Sequence, residues 1–342
     1  MSLTSKNHKN QMATDSHPLV SIVVVNWNGR EVLPLCLEAL TAQVYNNYEI
    51  IVVDNGSSDH SADELDSRWP EVKTVRLGEN KGFAVANNIG ARLARGTWLA
   101  LVNNDAFPEP NWLIELIAAA QKYPNFSFFG SRLVQYDDPR LLDGTGDVFH
   151  ISGLAWRRHY NHPVSSVNHK VEEVFGPCAA AAMYSREAFW QVGGLEEDFF
   201  SYHEDVDLAF RLRLQGYRCL YIPNAVVRHV GSASSGKRSD LSVYYGHRNL
   251  VWSYVQNMPS NLFWKYLPAH LLANLVFLIY YSVRGQPGAI WRAKLDALMG
   301  LPIALRKRRA IQSRCEVPIS DIVSVIERGW VKPYFQEFVS RR

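Results

Sequence analysis

Residues 19–25 read Leu-Val-Ser-Ile-Val-Val-Val, bounded by Pro18 and by the polar turn Asn26-Trp27-Asn28-Gly29. A β-branched run without polar alternation is a strand covered on both faces, the mark of a parallel sheet flanked by helices. The pattern recurs downstream. Val32–Leu40 has helical spacing, Glu49–Val53 (EIIVV) is a second buried strand, and Val72–Leu77 is a short third. Phe83–Arg95, rich in alanine, reads as a helix, Trp98–Val102 (WLALV) as the fourth strand and Trp112–Tyr123 as the next helix. Four strand–helix repeats in about 120 residues predict an α/β domain with a mostly parallel central sheet and flanking helices.

The chain has 342 residues, with 36 Lys+Arg against 33 Asp+Glu, a formal charge of +3 and 47% hydrophobic residues. At roughly 150 residues per domain, one large domain or two modest ones are allowed. Such a balance argues against wholesale disorder, a polytopic membrane protein, and a protein that wraps nucleic acid by bulk charge. Cys36, Cys178, Cys219 and Cys315 are scattered without a CxxC pair, so free thiols in a reducing compartment are expected. Residues 1–17 are polar and lack an apolar core. A frayed tail, not a secretory leader, is expected there.

In parallel α/β folds, ligands bind beyond the carboxyl ends of the strands. Three polar clusters fall there: Asn26-Trp27-Asn28, Asp54-Asn55-Gly56-Ser57 and Asn103-Asn104-Asp105. Neither GxGxxG after the first strand nor GxxxxGK[ST] occurs, which weighs against dinucleotide and P-loop sites. Asp105, a carboxylate at a strand end, suits Mg²⁺ or Mn²⁺ once phosphate and water oxygens complete the shell. Farther on, Tyr202-His203-Glu204-Asp205-Val206-Asp207 places three acids in four positions at a helix start. Asp207 and Arg211, four apart, are spaced to pair. A general base needs one ionised carboxylate beside a hydroxyl; Asp205 and Glu204 both qualify. His229, at the end of the β-rich run 225–230, is a further candidate for a metal or a diphosphate. The middle of the chain is irregular, with a Gly-rich stretch at Asp143–Gly153, strands at Cys219–Ile222 and Ala225–Val230, and a surface loop at 231–240.

Read together, VVVNWNG (Val23–Gly29), VVDNGSSD (Val52–Asp59), GENKGFAVANN (Gly78–Asn88), LVNNDA (Leu101–Ala106), YHEDVDLAFRLRLQG (Tyr202–Gly216) and RHVGSAS (Arg228–Ser234) carry a resemblance. The chain resembles the family 2 glycosyltransferases of GT-A fold, nearest the bacterial rhamnosyltransferase-like branch, over roughly residues 18–260. The resemblance implies that Asn26, Asn28, Asp54 and Asn55 hold the base and ribose of a dTDP- or UDP-sugar. It implies that Asn80-Lys81-Gly82 lies along the nucleotide. Asn103-Asn104-Asp105 stands at the family's DxD metal motif, with Asn103 in place of the first Asp. Asp105 would bind Mg²⁺ or Mn²⁺, His229 would ligate the metal or touch the diphosphate, and Asp205 would be the base of an inverting transfer. The usual Gly-Gly-Phe-Asp-Glu is here Gly193-Gly194-Leu195-Glu196-Glu197. A nucleotidyltransferase on a related fold would need more basic residues near the first strand than Arg30. A non-catalytic sugar-nucleotide or polysaccharide-binding module would not need Asp105 and Asp205.

The last part of the chain changes character. Leu262–Val283 is strongly apolar, and Arg284–Arg314 carries eight Lys or Arg against one acid, Asp296. A helical extension over 261–342 follows from this, with three uses open: attachment to a membrane surface, soluble packing or homo-oligomer formation, and a spanning helix. The resemblance implies a lipid-linked or polysaccharide acceptor. A cytoplasmic enzyme, peripheral on the inner face of the cell membrane, is therefore expected. No aromatic stripe marks a sheet, so no nucleic-acid partner is expected.

Overall fold

The structure, a computed structural model, describes residues 18–231 and 239–329. The tail expected at 1–17, most of the loop expected at 231–240 and the end of the extension lie outside the described residues.

The chain runs β1 (Val20–Asn26), α1 (Leu33–Thr41), β2 (Tyr48–Asp54), α2 (Leu65–Arg68), β3 (Lys73–Arg76), α3 (Phe83–Leu93), β4 (Trp98–Asn103), β5 (Ala106–Pro108) and α4 (Trp112–Lys122). Next come β6 (Phe128–Gln135), β7 (Leu142–Gly144), β8 (Asp147–Phe149), β9 (Ala155–Arg157), β10 (Glu172–Val174), β11 (Ala181–Ser185), α5 (Arg186–Gln191), α6 (Glu204–Leu214) and β12 (Cys219–His229). Five helices close it: α7 (Asp240–Asn257), α8 (Ser260–Val283), α9 (Pro287–Met299), α10 (Leu301–Gln312) and α11 (Ile319–Val325).

The main sheet has the order β10-β12-β6-β11-β4-β1-β2-β3. Its N-terminal half, β4-β1-β2-β3, is wholly parallel. β11 enters antiparallel to both β4 and β6, and β6 and β12 are again parallel. All seven residues of β1 are buried. Ile22 and Val24 face the core under α1 and α4, whereas Val23 and Val25 face the core under α3 and α6. Period-two alternation across a sheet covered on both sides explains why the run needs no polar residue. Each such side chain contributes ~1.5–3 kcal/mol by leaving water.

Register does the work of assembling a site. Asn26 lies opposite Asp54 on β2, and Val25 opposite Asn103 on β4. The three polar strand ends are therefore neighbours. The two strands expected at 219–222 and 225–230 form one strand, β12, whose register against β6 slips between Ile222 and Val226. Pro223 cannot donate to a ladder, and the strand absorbs it as a bulge.

The expected boundary near residue 260 falls between α7 and α8. Beyond it α9 packs on α7 and α8, and α10 on α7. α11 returns to the α/β body, where Ile322 joins the core and the Glu327 amide donates to Phe149 O at 2.8 Å. Among the described residues, α8 is one helix long and apolar enough to cross a membrane by length and composition.

Candidate active site

The strand ends are tied before any ligand arrives. Asn26 is fully buried. Its Nδ2 donates to Asp54 Oδ1 at 3.0 Å, Ser57 Oγ at 3.1 Å and Ser61 Oγ at 2.8 Å, while its Oδ1 accepts from Asn104 Nδ2 at 2.9 Å. One amide thus joins the ends of β1, β2 and β4. Asn28 has φ of 51° and accepts from Ser58 N at 2.8 Å. Asn55 Oδ1 accepts from Lys81 N, and Asn80 Oδ1 accepts from Asn55 Nδ2 and Gly82 N, each at 2.9 Å. Gly82 has φ of +92°, and a Cβ there would lie 2.6 Å from the Phe200 ring.

A cleft of about 640 Å³ opens above these ends, within the range of small-ligand and cofactor sites. Its walls include Asn55, Asn80, Asn103, Asn104, Asp105, Glu204, Asp205 and His229. Asn26, Asn28, Asp54, Lys81 and Gly82 do not line it. Asn26 and Asp54, both buried and hydrogen-bonded to each other, brace that wall. Gly82 serves close packing against Phe200.

Asp105 and His229 meet because β5 pairs with β12, setting Ala106 opposite His229. His229 Nε2 is 3.2 Å from Asp105 Oδ1, and Nδ1 is 2.7 Å from Asp143 Oδ2. All three residues are buried. Arg157 closes the row through Asp143. Burial alone would lower the His229 pKa, but the carboxylates of Asp105 and Asp143 outweigh it and raise it. Burial would likewise raise Asp143, yet Arg157 and His229 hold it at about 2. A carboxylate on Nδ1 aims Nε2 at Asp105, the arrangement that orients metal-ligating histidines. Asn103 Oδ1, buried in the wall of the same cleft, has no hydrogen-bond partner. No group of three His, Cys, Asp or Glu residues forms a closed metal site among the described residues. Asp105 and His229, in one cleft with the unpartnered Asn103 Oδ1, fit an oxygen-preferring ion whose remaining ligands come from phosphate and water.

The acidic segment sits on a strained turn. Phe200, Tyr202 and His203 have φ of 65°, 70° and 68°, a region unfavourable to side chains with a Cβ. Asn249 of α7, fully buried, holds the turn: its Nδ2 donates to Phe199 O, Ser201 O and Tyr202 O at 2.9, 2.9 and 2.7 Å. Arg248 adds bonds to Asp198 O and Phe199 O at 2.8 and 3.0 Å. α6 begins immediately after. Asp205 Oδ2 accepts from Ala179 N at 3.2 Å and Oδ1 from Val206 N at 2.8 Å. Burial raises the Asp205 pKa, opposed by these N–H groups and by Arg157. Glu204 is raised further, by burial and then by Asp205, and its Oε2 has no partner. Asp147, which also lines the cleft, is raised well above the carboxylate range by burial and then by Asp205. Of these acids Asp205 has the backbone donors that favour an ionised form. Asp207 pairs with Arg211, as its spacing predicts, and accepts from Asn257 Nδ2 at 2.7 Å.

Asp143, Asp147, Arg157 and Asn249 escape a reading of the sequence. Asp143 lies in the Gly-rich stretch 143–153, but its partner His229 is 86 positions away. Glu196 and Glu197 do not line the cleft; Glu196 accepts from Lys307 at 2.6 Å and Glu197 from Asn88 at 2.9 Å. The four cysteines are free, as expected.

The family model for glycosyl transferase family 2 matches residues 21–193. The N-acetylglucosaminyl-diphospho-decaprenol L-rhamnosyltransferase of Mycobacterium tuberculosis is 25% identical over 82% of this chain and 98% of its own length. Protein y4gI of Sinorhizobium fredii is 32% identical over 64% of this chain, and O-antigen biosynthesis protein RfbC of Myxococcus xanthus 28% over 65%. The matched regions span only 25% and 18% of those two proteins. Among solved structures, GalNAc-T7 with UDP, GalNAc and Mn²⁺ aligns at TM-score 0.59 and 18% identity, over 71% of this chain and 48% of its own. The mannosyltransferase PcManGT of Pyrobaculum calidifontis, with GDP-Man and Mn²⁺, aligns at 0.51 and 18% identity, over 90% and 87%. The fold is GT-A, a central sheet with flanking helices and a run of C-terminal helices.

Proposed function

This chain belongs to glycosyl transferase family 2, and we propose that it is an inverting, divalent-metal-dependent hexosyltransferase. The donor is a dTDP- or UDP-sugar, with rhamnose first choice because the mycobacterial relative is a rhamnosyltransferase. The acceptor is a hydroxyl of a lipid-linked glycan in cell-surface polysaccharide synthesis. The catalytic unit is 18–260, and the enzyme works in the cytoplasm at the inner face of the membrane. The observation that carries this reading is that one cleft gathers the Asp105–His229 pair, the strand-end asparagines and the anchored Asp205.

Asn26, Asn28, Asp54, Asn55, Asn80, Lys81, Gly82, Asn103 and Asn104 form the donor-nucleotide side of the site, and Asn55, Asn80, Asn103 and Asn104 among them line the cleft. Asp105 and His229 hold Mg²⁺ or Mn²⁺, as the Mn²⁺ in both structural neighbours supports. When bound, the ion offsets charge developing on the leaving diphosphate. Asp205 takes the proton of the acceptor hydroxyl as its oxygen attacks the anomeric carbon, and the electron pair of the broken bond leaves with the diphosphate. A single displacement inverts the configuration, and one carboxylate suffices. Glu204, whose pKa burial and then Asp205 raise well above the ordinary carboxylate range, is the weaker candidate for that proton and stands beside Asp205.

The test is a panel of nucleotide sugars read by thermal stabilisation, with and without Mg²⁺ or Mn²⁺. Stabilisation by one donor in a metal-dependent way is expected. A panel with no stabilising donor refutes the reading.

A further inference from the structure

The catalytic reading leaves one face of the molecule unused. Along α8, Trp264, Leu271, Leu272, Leu275, Ile279 and Val283 recur every three, four or seven residues and point outward. Trp291, Leu295, Leu298 and Met299 do the same on α9, which packs beside α8. These side chains are 49–77% exposed. Scattered exposed leucines need no explanation, but two adjacent helices with outward apolar stripes form a patch of the kind that marks an interaction surface.

The inward face of α8 shows how the helix can be used. His270 Nδ1 is 2.7 Å from Ser152 O, and its ring stacks on Tyr254 with centroids 4.0 Å apart. Asn274 Oδ1 accepts from Lys294 Nζ of α9 at 2.6 Å. Phe277 and Tyr281 pack against His247 of α7. A helix bound along its length to the catalytic body cannot cross a bilayer without breaking these contacts, so it offers one face only.

Charge identifies the occupant. Residues 260–314 carry nine Lys or Arg and one acid, Asp296. Lys265, Arg284, Arg306 and Arg309 are exposed. An apolar stripe with tryptophan and a cationic margin is the composition of a helix lying in the interface of an anionic membrane. A second copy of the chain would instead set this positive margin against itself, if the stripes paired about a twofold axis. The patch also reaches the cleft. Gln286, in the turn between α8 and α9, donates to Asp240 Oδ1 at 2.8 Å, and the neighbouring Leu241 lines the cleft.

We propose that α8 and α9 lie in the plane of an anionic bilayer surface, inserted to the depth of their outward side chains, with the cleft mouth at Leu241 held at the headgroups. The geometry of docking stands on this face alone; its use, presenting a lipid-linked acceptor hydroxyl to Asp205, rests on the transferase reading.

The test uses the full chain in co-sedimentation with phosphatidylcholine vesicles, with and without about a third phosphatidylglycerol. Binding to the anionic vesicles is expected, ~10-fold or more above that to phosphatidylcholine alone. The double variant L275D/L295D, altered at exposed positions, should bind ~100-fold more weakly while keeping the wild-type melting temperature. Alkaline carbonate should release the bound protein. Vesicle binding that the variant leaves intact overturns the proposal, as does absence of binding. Retention through carbonate would mean a spanning helix, and a wild-type dimer that L275D/L295D dissociates, without vesicle binding, would mean a copy-on-copy interface. Donor stabilisation of the same two proteins reads the transferase proposal separately: vesicle binding without donor binding sinks that reading and leaves docking standing.

Discussion

Asn249→Ala removes a side chain that does not itself line the cleft, yet it should disable the site. The amide nitrogen of Asn249 is the donor shared by three backbone carbonyls of the turn before α6. Leaving buried carbonyls unsatisfied costs ~1–3 kcal/mol each when nothing replaces the donor. Arg248 still reaches Phe199 O, so the loss falls on the part-buried carbonyls of Ser201 and Tyr202, at the lower end of that range. The same turn holds three non-glycine residues at positive φ, a strain of ~1–2 kcal/mol apiece. With its main restraint gone the turn has a few kcal/mol of reason to relax. Relaxation moves the first turn of α6, and a shift of ~1 Å in the base costs ~10²-fold in rate. The assay is kcat by release of nucleoside diphosphate, beside donor binding by calorimetry and unfolding in urea. The expected result is a kcat loss near two orders of magnitude, donor affinity within a few-fold of wild type and a folded protein. A folded variant with kcat within twofold would refute the reasoning.

Further outcomes follow from other groups. Asp105→Ala should lose metal-stimulated turnover, so that chelator no longer changes the rate. Because burial raises the Asp205 pKa and the base acts ionised, the acid limb of kcat should lie above the ordinary carboxylate range and fall as pH drops through it. Gly82→Ala puts a Cβ 2.7 Å from Phe200 O at φ of +92°, and should destabilise the protein by at least ~2 kcal/mol in urea titration. Lys294, half-buried between α7, α8 and α9, is lowered to about 7 from 10.5 by desolvation. The unfolded chain binds the extra proton between these values, so stability should climb with pH from about 7 towards 10. A urea midpoint flat across that window would contradict it.

What could be read in advance was what lies close in sequence. The run 19–25 announces a buried parallel strand because both faces are covered, and the polar strand ends converge because parallel register makes them neighbours. The acidic start of α6 was equally plain. Its positioning was not: Asn249 reaches across nearly fifty residues from α7, a helix whose buried face is partly polar through Asn249, Ser253, Gln256 and Asn257. A helix with a polar inner face has no apolar period to reveal it. Asp143 stayed hidden for a related reason, since its role exists only once β12 delivers His229. The antiparallel insertion of β11, an alanine-rich strand, also left little trace, because small residues carry weak β preference and the pairing is set by its neighbours. Asn26 and Asp54 were legible as polar strand ends; that they also bond to each other across β1 and β2 was not.

The central claim is that one anchored carboxylate performs the displacement, and Asp205→Asn tests it most directly. The substitution keeps the shape and an acceptor oxygen for Ala179 N while removing the proton acceptor. With the donor that stabilises the wild type, the account predicts unchanged donor affinity and a transfer rate lower by ~10³-fold or more. Turnover near the wild-type rate would contradict it.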